Sequence, residues 1–235
     1  DGEEPVLQDV SFKANKGEMI AFIGSTGSGK STLVNLVPRF YDVSSGSIKI
    51  NGKDIRDYDV LELRDKLGVI PQKAVLFSGT IADNIRFGKK DASDEEVEYA
   101  AKVAQAYPFI MEKENGFDEE ISEGATNVSG GQKQRLSIAR ALVRKAQIYI
   151  FDDSFSALDF KTDAILRKEL KKEMTESIML VVAQRISSIM EADQIIVLNE
   201  GKVVGKGTHH QLLKECQIYH EIATSQLSEE ELANA

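Results

Sequence analysis

The chain has 235 residues, 42% of them hydrophobic and 29% charged, which is enough for one substantial core with a smaller lobe beside it. Its net charge of −9 argues against a nucleic-acid surface, because such a surface needs a basic stripe. No run approaches the roughly 18 apolar residues of a membrane span, and no charged-then-apolar leader opens the chain, so we expect neither membrane insertion nor a secretory signal. The single cysteine, Cys216, cannot form an internal disulfide and fits a reducing cytoplasm. The polar start at 1–5, which lacks Met, is typical of a piece of a longer protein.

Strand and helix patterns alternate along the chain, which predicts an α/β fold with a mainly parallel sheet, antiparallel edge strands and covering helices. The alternation of apolar and polar side chains over 6–14 predicts an edge strand or hairpin arm. Further strands are predicted at 19–23, 47–50, 67–70, 147–151, 178–182 and 194–198. Helices are predicted at 60–66, at 162–174 and from Thr208 onward, and turns at Asn51-Gly52 and at Gly201, Gly205 and Gly207.

The middle of the chain has a helical pattern that predicts an inserted α-helical subdomain. Ser93 and Glu96 form a capping box, which predicts a helix from there to Tyr107, and a polar loop follows at 112–128. One domain with four segments is therefore expected: a core at 1–72 and 146–227, the helical subdomain at 73–145, and a flexible acidic tail at 228–235.

Residues 24–32 follow the pattern of a phosphate-binding loop. They read Gly24-Ser25-Thr26-Gly27-Ser28-Gly29-Lys30-Ser31-Thr32, after an apolar strand and before an amphipathic run that begins at Leu33. Glycines let successive backbone N–H groups and the helix N-terminus point at phosphate oxygens. Lys30 adds a positive charge for the β- and γ-phosphates, and the Ser31 hydroxyl can ligate Mg²⁺. The alternative is a flexible loop without a ligand, which the flanking strand and helix disfavour.

An acidic strand end comes later in the chain. Residues 148–151 are apolar, and Asp152 and Asp153 follow them directly. A carboxylate at the end of a buried parallel strand lies at the same sheet edge as a phosphate loop, where it can hold the water shell of Mg²⁺. Alone, the pattern also fits an ordinary strand end. Together with the phosphate loop, it predicts Asp152 as a magnesium ligand.

A second helix start suited to phosphate lies at Ser129-Gly130-Gly131-Gln132, which follows Val128. Ser129 and Gln132 form a capping box, so one interpretation is simply a well-capped helix. The other is a phosphate receptor built from the helix N-terminus, two glycines and a free hydroxyl. A single chain cannot easily bring both receptors onto one nucleotide.

From roughly Val6 to Leu213 the chain resembles the nucleotide-binding domain of ATP-binding-cassette (ABC) transporters, and 77–85 is similar to the exporter subgroup. In that family two such domains meet head to tail, with ATP between the phosphate loop (Walker A) of one and the signature sequence of the other. The resemblance implies ATP and Mg²⁺ as cofactors. It also implies a second nucleotide-binding domain and a transmembrane domain as partners, and a place at the cytoplasmic face of a membrane.

The resemblance implies roles for single residues. The strand at 148–152 matches Walker B, 156–159 matches the D-loop, and Gln72 matches the glutamine that approaches Mg²⁺ and the attacking water. The residues implied to hold ATP are Gly24, Ser25, Thr26, Gly27, Ser28, Gly29, Lys30, Ser31, Thr32, Gln72, Ser129, Gly130, Gly131 and Gln132. The implied catalytic residues are Lys30, Gln72, Asp153 and Gln184. The implied magnesium site consists of Ser31, Gln72 and Asp152.

Two departures from the family pattern fall on the chemistry. Asp153 stands where the family carries Glu, and Gln184 replaces the switch histidine. Asp is shorter than Glu by one C–C bond of about 1.5 Å, and the Gln amide can donate a hydrogen bond but never becomes cationic. Such paired changes resemble the degenerate half of a heterodimeric exporter, in which one of two composite sites is slow. The implied partner is then a different chain.

Three functions remain open on the sequence. The first is an ATPase subunit of an exporter that works mostly through its partner's site. The second is a nucleotide-gated dimerisation module without turnover, and the third is a non-transport relative that acts on DNA or ribosomes. The acidic charge and the exporter-like segment argue against the third. We interpret His209 and His210 as solvated residues rather than a metal site, because no Cys or acidic ligands accompany them at metal spacing.

Overall fold

The computed structural model describes residues 5–228 and 231–232, so the rest of the predicted polar start and of the predicted flexible tail lies outside the described residues. The strands are β1 (Met19–Gly24), β2 (Lys49–Ile50), β3 (Lys53–Asp54), β4 (Leu67–Ile70), β5 (Gly79–Thr80), β6 (Glu120–Ile121), β7 (Ile148–Asp152), β8 (Ile178–Val182), β9 (Gln194–Asn199) and β10 (Lys202–Gly207). The helices are α1 (Lys30–Leu36), α2 (Val60–Asp65), α3 (Ile81–Arg86), α4 (Asp94–Val103), α5 (Tyr107–Met111), α6 (Gly130–Leu142), α7 (Phe160–Glu173), α8 (His209–Glu215) and α9 (Gln217–Gln226). Within 5–228 and 231–232, no helix combines the length and apolar character needed to cross a membrane.

The central sheet has six strands in the order β10-β9-β1-β8-β7-β4. Every neighbouring pair from β9 to β4 is parallel, and β10 pairs antiparallel with β9 at one edge. Two small antiparallel pairs, β2 with β3 and β5 with β6, lie outside this sheet. The predicted fold class, mainly parallel with an antiparallel edge and added helices, is confirmed. Because β1, β7 and β8 are parallel, the loops that follow them emerge at the same edge of the sheet.

Both faces of the sheet are buried. Along β1, Met19, Ala21 and Ile23 belong to one apolar cluster while Ile20 and Phe22 belong to the other, as the two-residue period of a strand requires. Helices α1 and α2 cover the Phe22 face, and α3 to α9 supply side chains to the opposite face. Strands covered on both faces are almost continuously apolar, which is why they were recognisable in the sequence.

The helices between β4 and β7 include the predicted Ser93–Glu96 capping box, which is present at the start of α4. The prediction that this helix runs to Tyr107 is wrong, since α4 ends at Val103. Gln105 adopts a left-handed backbone with φ of 57°, which a helix cannot contain, and α5 then starts afresh. The predicted polar loop at 112–128 holds β6 and two single 3₁₀ turns.

The predicted edge strand at 6–14 is wrong. Asp9 has a φ of 51°, which breaks the extended backbone, and the segment is irregular chain instead. Its apolar side chains still pack on the core, with the Phe12 ring meeting the Phe22 ring edge-on at 5.3 Å. The alternation of apolar and polar residues over 6–14 therefore indicated which side chains pack on the core, but it did not indicate a strand.

The antiparallel edge is β10, in a place where glycines predicted a turn. Only Gly201 lies in the turn, while Gly205 and Gly207 belong to the strand. A Cβ on Gly205 would lie 2.7 Å from the Cys216 sulfur, so the glycine allows the C-terminal helices to approach closely. The single predicted C-terminal helix is in fact α8 and α9, separated by the extended backbone of Cys216.

Candidate functional site

The phosphate-binding pattern lies at the carboxyl end of β1, between parallel neighbours β8 and β9. Gly24 is required there, because a Cβ on it would lie 1.9 Å from the Leu198 carbonyl oxygen. The Lys30 ammonium is nearly buried and donates to the carbonyl oxygens of Gly24 at 2.9 Å and Ser25 at 2.7 Å. Burial lowers the pKa of Lys30, opposed by the negative charges of Asp153 and Asp152. Residues 24–30 thus form a tight loop in which the Lys30 ammonium bonds the loop's own carbonyl oxygens.

Helix α1 begins at this loop without a side-chain cap. Its N-cap is Gly29, in the left-handed region with φ of 95°, and within the described part of the chain no side chain caps the first turn. Unpaired N–H groups at a helix start favour anions, and the space next to Gly27 is open. The loop therefore fits a phosphate.

A hydroxyl and a carboxylate meet where a phosphate-bound cation would need them. Ser31 Oγ, on α1, donates to Asp152 Oδ1, at the end of β7, at 2.7 Å. Oxygen ligands of this kind suit Mg²⁺, which binds through one or two protein groups together with substrate phosphates. In the described part of the chain, no three or more His, Cys, Asp or Glu side chains gather as a metal site. The pair Ser31 and Asp152 therefore fits a magnesium ion that arrives with a nucleotide rather than one held by the protein alone.

Asp153 lies at the centre of the predicted catalytic residues. Its carboxylate is buried, and a single oxygen, Oδ2, accepts from Gln72 Nε2 at 3.0 Å and from Gln184 Nε2 at 2.6 Å. Burial raises the pKa of Asp153, against the lowering effect of hydrogen bonds that include the one from Gln72. Its backbone is left-handed, with φ of 48°. The structure thus brings Gln72, Asp153 and Gln184 together from three different loops.

The second predicted phosphate receptor is the start of α6. The Ser129 hydroxyl accepts from the Gln132 N–H at 3.2 Å, and the Gln132 side chain accepts from the Ser129 N–H at 3.0 Å. Ser129 and Gly130 are exposed, and Gly131 approaches the backbone of Ala157. Among the described residues, no hydrogen bond or ion pair joins 129–132 to the phosphate loop. The predicted capping box is present, and Ser129 remains exposed to solvent.

Two buried side chains that the sequence did not reveal hold the loop that carries Gln72. Ser154 Oγ donates to the Ile70 carbonyl at 2.9 Å, and Gln134 Nε2 donates to the Pro71 carbonyl at 3.2 Å. Both are almost completely buried. Ser154 adjoins the acidic pair and Gln134 lies in the first turns of α6, so nearness to these motifs was the available signal. Their residue types alone do not predict that they bond the backbone before Gln72.

An apolar groove lies at the other end of α6. Phe77 and Phe87 are 44% and 60% exposed, and their rings lie 4.6 Å apart. The Arg140 guanidinium lies over both rings, donates to the carbonyls of Asn84 at 2.8 Å and Val75 at 2.7 Å, and is itself largely buried. The groove continues along Pro38, Phe40, Arg64 and Pro71. Exposed aromatic side chains fixed in this way are typical of a protein-binding surface.

The interpretation of His209 as a solvated residue is wrong. His209 is 3% exposed, and its Nδ1 lies 2.7 Å from the hydroxyl of the buried Tyr219. Burial lowers the pKa of His209 and so favours the neutral ring. It serves to join α8 to α9.

Comparison with known proteins agrees with these features. Residues 7–156 match a family model described as ABC transporter. The chain is 47% identical over 225 residues to an uncharacterised ABC transporter ATP-binding protein of Mycobacterium bovis, covering 94% of this chain and 38% of the relative. A protein of Staphylococcus aureus, named as a candidate multidrug export ATP-binding/permease protein, is 44% identical over 96% of this chain and 39% of its own length.

A solved structure, of a bacterial Atm1-family ABC exporter with ATP bound, superposes with a TM-score of 0.93 at 38% identity, covering 97% of this chain and 40% of that one. The chain thus spans about two fifths of the length of the relatives it matches. The family model covers more than half of the chain, and the superposition covers nearly all of it. The chain therefore belongs to the ABC transporter family, as an ATP-binding domain with the P-loop NTPase fold.

Proposed function

We propose that the chain binds Mg²⁺·ATP and energises export across a membrane, as one of two nucleotide-binding domains that meet head to tail. The observation that carries this proposal is the separation of two phosphate-suited helix starts, at Lys30 and at Ser129, on one chain. Each start would need its counterpart from another molecule. The names of the Staphylococcus aureus relative and of the solved exporter support export as the process.

Within this chain's own site, the backbone N–H groups of 24–32 would hold the phosphates of ATP, and the Lys30 ammonium would bond the β- and γ-phosphate oxygens in place of the Gly24 and Ser25 carbonyls. Ser31 and Asp152, with Gln72 beside them, would hold Mg²⁺, whose charge offsets that of the phosphates. The exchange is favourable because a buried ammonium gains charged oxygens in place of carbonyls.

We propose that hydrolysis at this site is slow. A general base must lie within about 2.6–3.2 Å of the proton it takes, and a misplacement of about 1 Å can cost about a hundredfold in rate. Asp153 is one bond shorter than Glu, and one of its two oxygens is already occupied by amides of Gln72 and Gln184. Gln184 can donate to the γ-phosphate but supplies no positive charge.

The larger contribution of this chain to turnover then lies in 129–132, carried by the helical subdomain at 73–145. Ser129 keeps an exposed hydroxyl and two glycines follow it, so this surface can close over ATP that a partner holds. The partner is a different chain with Glu and His at the two positions. ATP at Lys30 stays bound through many cycles and keeps the domains together.

The groove around Arg140 is proposed to receive the transmembrane domain of the exporter. Its exposed Phe77 and Phe87 offer apolar area, and Phe77 belongs to the segment 77–85 that resembles exporters. The chain would then work at the cytoplasmic face of the membrane, without inserting into it. Residues 77–85 take part because Phe77 belongs to this segment and because the buried Asn84 side chain bonds both the Phe77 backbone and the Arg140 guanidinium.

A second function is favoured by the occupied Asp153 oxygen. In it, Asp153 and Gln184 abolish turnover, and ATP serves only as a link between two domains. The two functions share binding and differ in hydrolysis. The sequence of the partner chain also distinguishes the two functions: Glu and His at the positions that correspond to Asp153 and Gln184 favour the hydrolysing exporter.

The test is phosphate release from purified chain at high concentration, together with Mg²⁺·ATP binding. We expect binding that depends on Lys30 and very slow turnover. Absence of binding would overturn the proposal. Turnover comparable to an intact exporter domain, lost in Lys30→Ala but unchanged in Asp153→Asn, would show that Asp153 is not the limiting group. Turnover that stays undetectable in the assembled transporter as well would favour the dimerisation module.

A further inference from the structure

The loop that carries Gln184 is held by a side chain from the far C-terminal part of the chain. Gln226 Nε2 donates to the Gln184 carbonyl at 2.8 Å, and the Ile186 N–H donates to Gln226 Oε1 at 2.8 Å. One amide thus satisfies a backbone acceptor and a backbone donor two residues apart. We call this arrangement the Gln226 brace.

The Gln226 brace bonds the part of the loop that lies between two other attachment points, at Ala183 and Ser188. Before it, the Ala183 N–H donates to the Phe22 carbonyl of β1 at 3.1 Å. After it, Ser188 Oγ donates to the buried carboxylate of Asp163 at 3.1 Å. Between these fixed points, the carbonyl of Gln184 and the N–H of Ile186 are bonded by Gln226. The brace therefore determines where the Gln184 backbone lies.

Helix α9 is anchored so that Gln226 reaches the loop. Tyr219, Ala223 and Gln226 follow the i, i+4, i+7 spacing of one helix face, and the first two are fully buried. The Tyr219 hydroxyl is bonded to His209 at 2.7 Å, which fixes α9 against α8. Gln226 is the last residue of the helix, so this face ends on the loop.

The contacts continue from the loop to the reacting groups. The Gln184 side chain donates to Asp153 Oδ2 at 2.6 Å, so its backbone position and its amide direction are coupled to the catalytic cluster. Arg185 bonds the carbonyls of Ser156 and Leu158 instead, so its side chain holds a different loop. Gln226 is thus the link between α9 and Gln184.

We propose that Gln226 is a positioning residue for recognition of the terminal phosphate: by fixing the backbone at 184–186, it holds the Gln184 amide where the γ-phosphate of ATP can accept from it. This inference rests on the proposed role of Gln184. The position of α9 then affects the selectivity of the site for ATP over ADP, because only ATP has the phosphate that Gln184 reaches.

The test compares Mg²⁺·ATP and Mg²⁺·ADP affinities of the full chain by calorimetry. Gln226→Ala is expected to weaken ATP binding about 3–10-fold, the range for one lost neutral hydrogen bond, and to leave ADP binding unchanged. Gln226→Glu, which keeps the acceptor for Ile186 but loses the donor for Gln184, should fall between the wild type and Gln226→Ala. Ser225→Ala is the matched control, since Ser225 bonds only its own helix and should leave both affinities unchanged.

Hydrogen exchange at the Ile186 amide provides a readout that does not involve nucleotide. Its protection should fall in Gln226→Ala and persist in Gln226→Glu. Adding Gln226→Ala to Gln184→Ala should change ATP affinity no further, because both remove the same contact. Equal weakening of ATP and ADP by Gln226→Ala would overturn the inference, since it would indicate a general structural role.

The two proposals fail differently. If Gln184→Ala weakens ATP binding but Gln226→Ala does not, the brace has no positioning role and the proposed function stands. If Gln184→Ala leaves ATP affinity unchanged, the role of Gln184 in the proposed function fails, and the inference fails with it.

Discussion

The starts of α1 and α6 are both suited to phosphate, yet they differ in how far the chain satisfies them by itself. At α1 the N-cap is Gly29, no side chain bonds the first turn, and Lys30 turns back onto the loop carbonyls. At α6, Ser129 and Gln132 cap each other reciprocally. Helix starts attract anions through the same unpaired N–H groups in both cases.

The difference indicates different roles for a nucleotide. The start of α1 has no side-chain cap, and under the proposed function its N–H groups would gain partners from a nucleotide that the same chain binds. The start of α6 is stable without one, because its capping box already satisfies two N–H groups. It can therefore stay folded and exposed until a phosphate arrives from another molecule.

The largest effect is expected when the α6 start is blocked. In the assembled transporter, Ser129→Arg should lower ATPase activity about 100-fold or more, the scale seen when one preorganised donor to a reacting oxyanion is lost. Asp153→Ala in the same assembly should leave most of the activity. The measurement is steady-state phosphate release.

Ser93→Arg is the matched control for Ser129→Arg, since Ser93 is also an exposed N-cap in a capping box, on α4. It should cost about 1 kcal/mol of stability, as loss of a cap does, with activity retained. The opposite ranking, with Asp153→Ala inactive and Ser129→Arg active, would mean that this chain's own site performs the hydrolysis.

The α1 start is tested by Lys30→Ala. Removing a charged hydrogen-bond partner worth about 1.5–3 kcal/mol should weaken Mg²⁺·ATP binding roughly 10–100-fold. Calorimetry on the purified chain measures this, with the exposed Lys202→Ala as control. Equal affinities for the Lys30 and Lys202 variants would remove the phosphate loop from the proposal.

If hydrolysis at this chain's own site is slow as proposed, restoring the family's residues should speed it. In an assembled transporter whose partner site is silenced by Ser129→Arg, Asp153→Glu with Gln184→His should raise the remaining turnover about tenfold or more, and by more than the two single changes predict, because both groups act on one transition state. Glu at a position with φ of 48° should also cost about 1–2 kcal/mol of stability. If the double variant matched wild type in turnover, the partner's signature would explain the slow site instead.

The smallest expected effect concerns the buried charge of Asp153. Its pKa is raised in the folded state, so the folded chain binds this proton more tightly than the unfolded chain does, and the cost of burying the charge is present at neutral pH and disappears as pH falls through the raised pKa. Asp153→Asn, which tolerates the left-handed backbone, should raise the melting temperature by about 2 °C at neutral pH.

That gain should shrink as pH falls through the raised pKa of Asp153, because the wild-type carboxyl then becomes protonated as well. The control is Asp118→Asn, which makes the same charge change at an exposed side chain. A difference between Asp153→Asn and wild type that stays constant with pH would contradict the buried-charge explanation.

The sequence predicted the parts of the fold whose signal is local. The strand at 178–182 has the predicted bounds, and the Ser93 and Ser129 caps form as expected, because buried strands and caps depend on adjacent residues. The segment 6–14 misled because its alternation reflected packing on the core, while the left-handed Asp9 decided the backbone.

What the sequence could not provide depends on distant contacts. The sequence predicted a turn at Gly205, but this residue belongs to β10, where a side chain would collide with Leu212 and Cys216. The burial of His209 follows from Tyr219, and the bonds of Gln226 reach back to a loop about 40 residues earlier in the chain. No local pattern encodes such pairs. The roles of Gln72, Asp153 and Gln184 came from the family resemblance, and their meeting point came from the parallel order of the strands.

Helix α6 extends without interruption from the Ser129 cap to Arg140 beneath the aromatic groove. Eleven residues of helix span about 16 Å, and a hydrogen-bonded helix of that length moves as a rod. If a partner packs on Phe77 and Phe87 and a phosphate binds at Ser129, the two contact opposite ends of this one helix, so a tilt caused at one end displaces the other. By thermodynamic linkage, if binding of the partner raises the affinity for the phosphate by some factor, binding of the phosphate raises the affinity for the partner by the same factor.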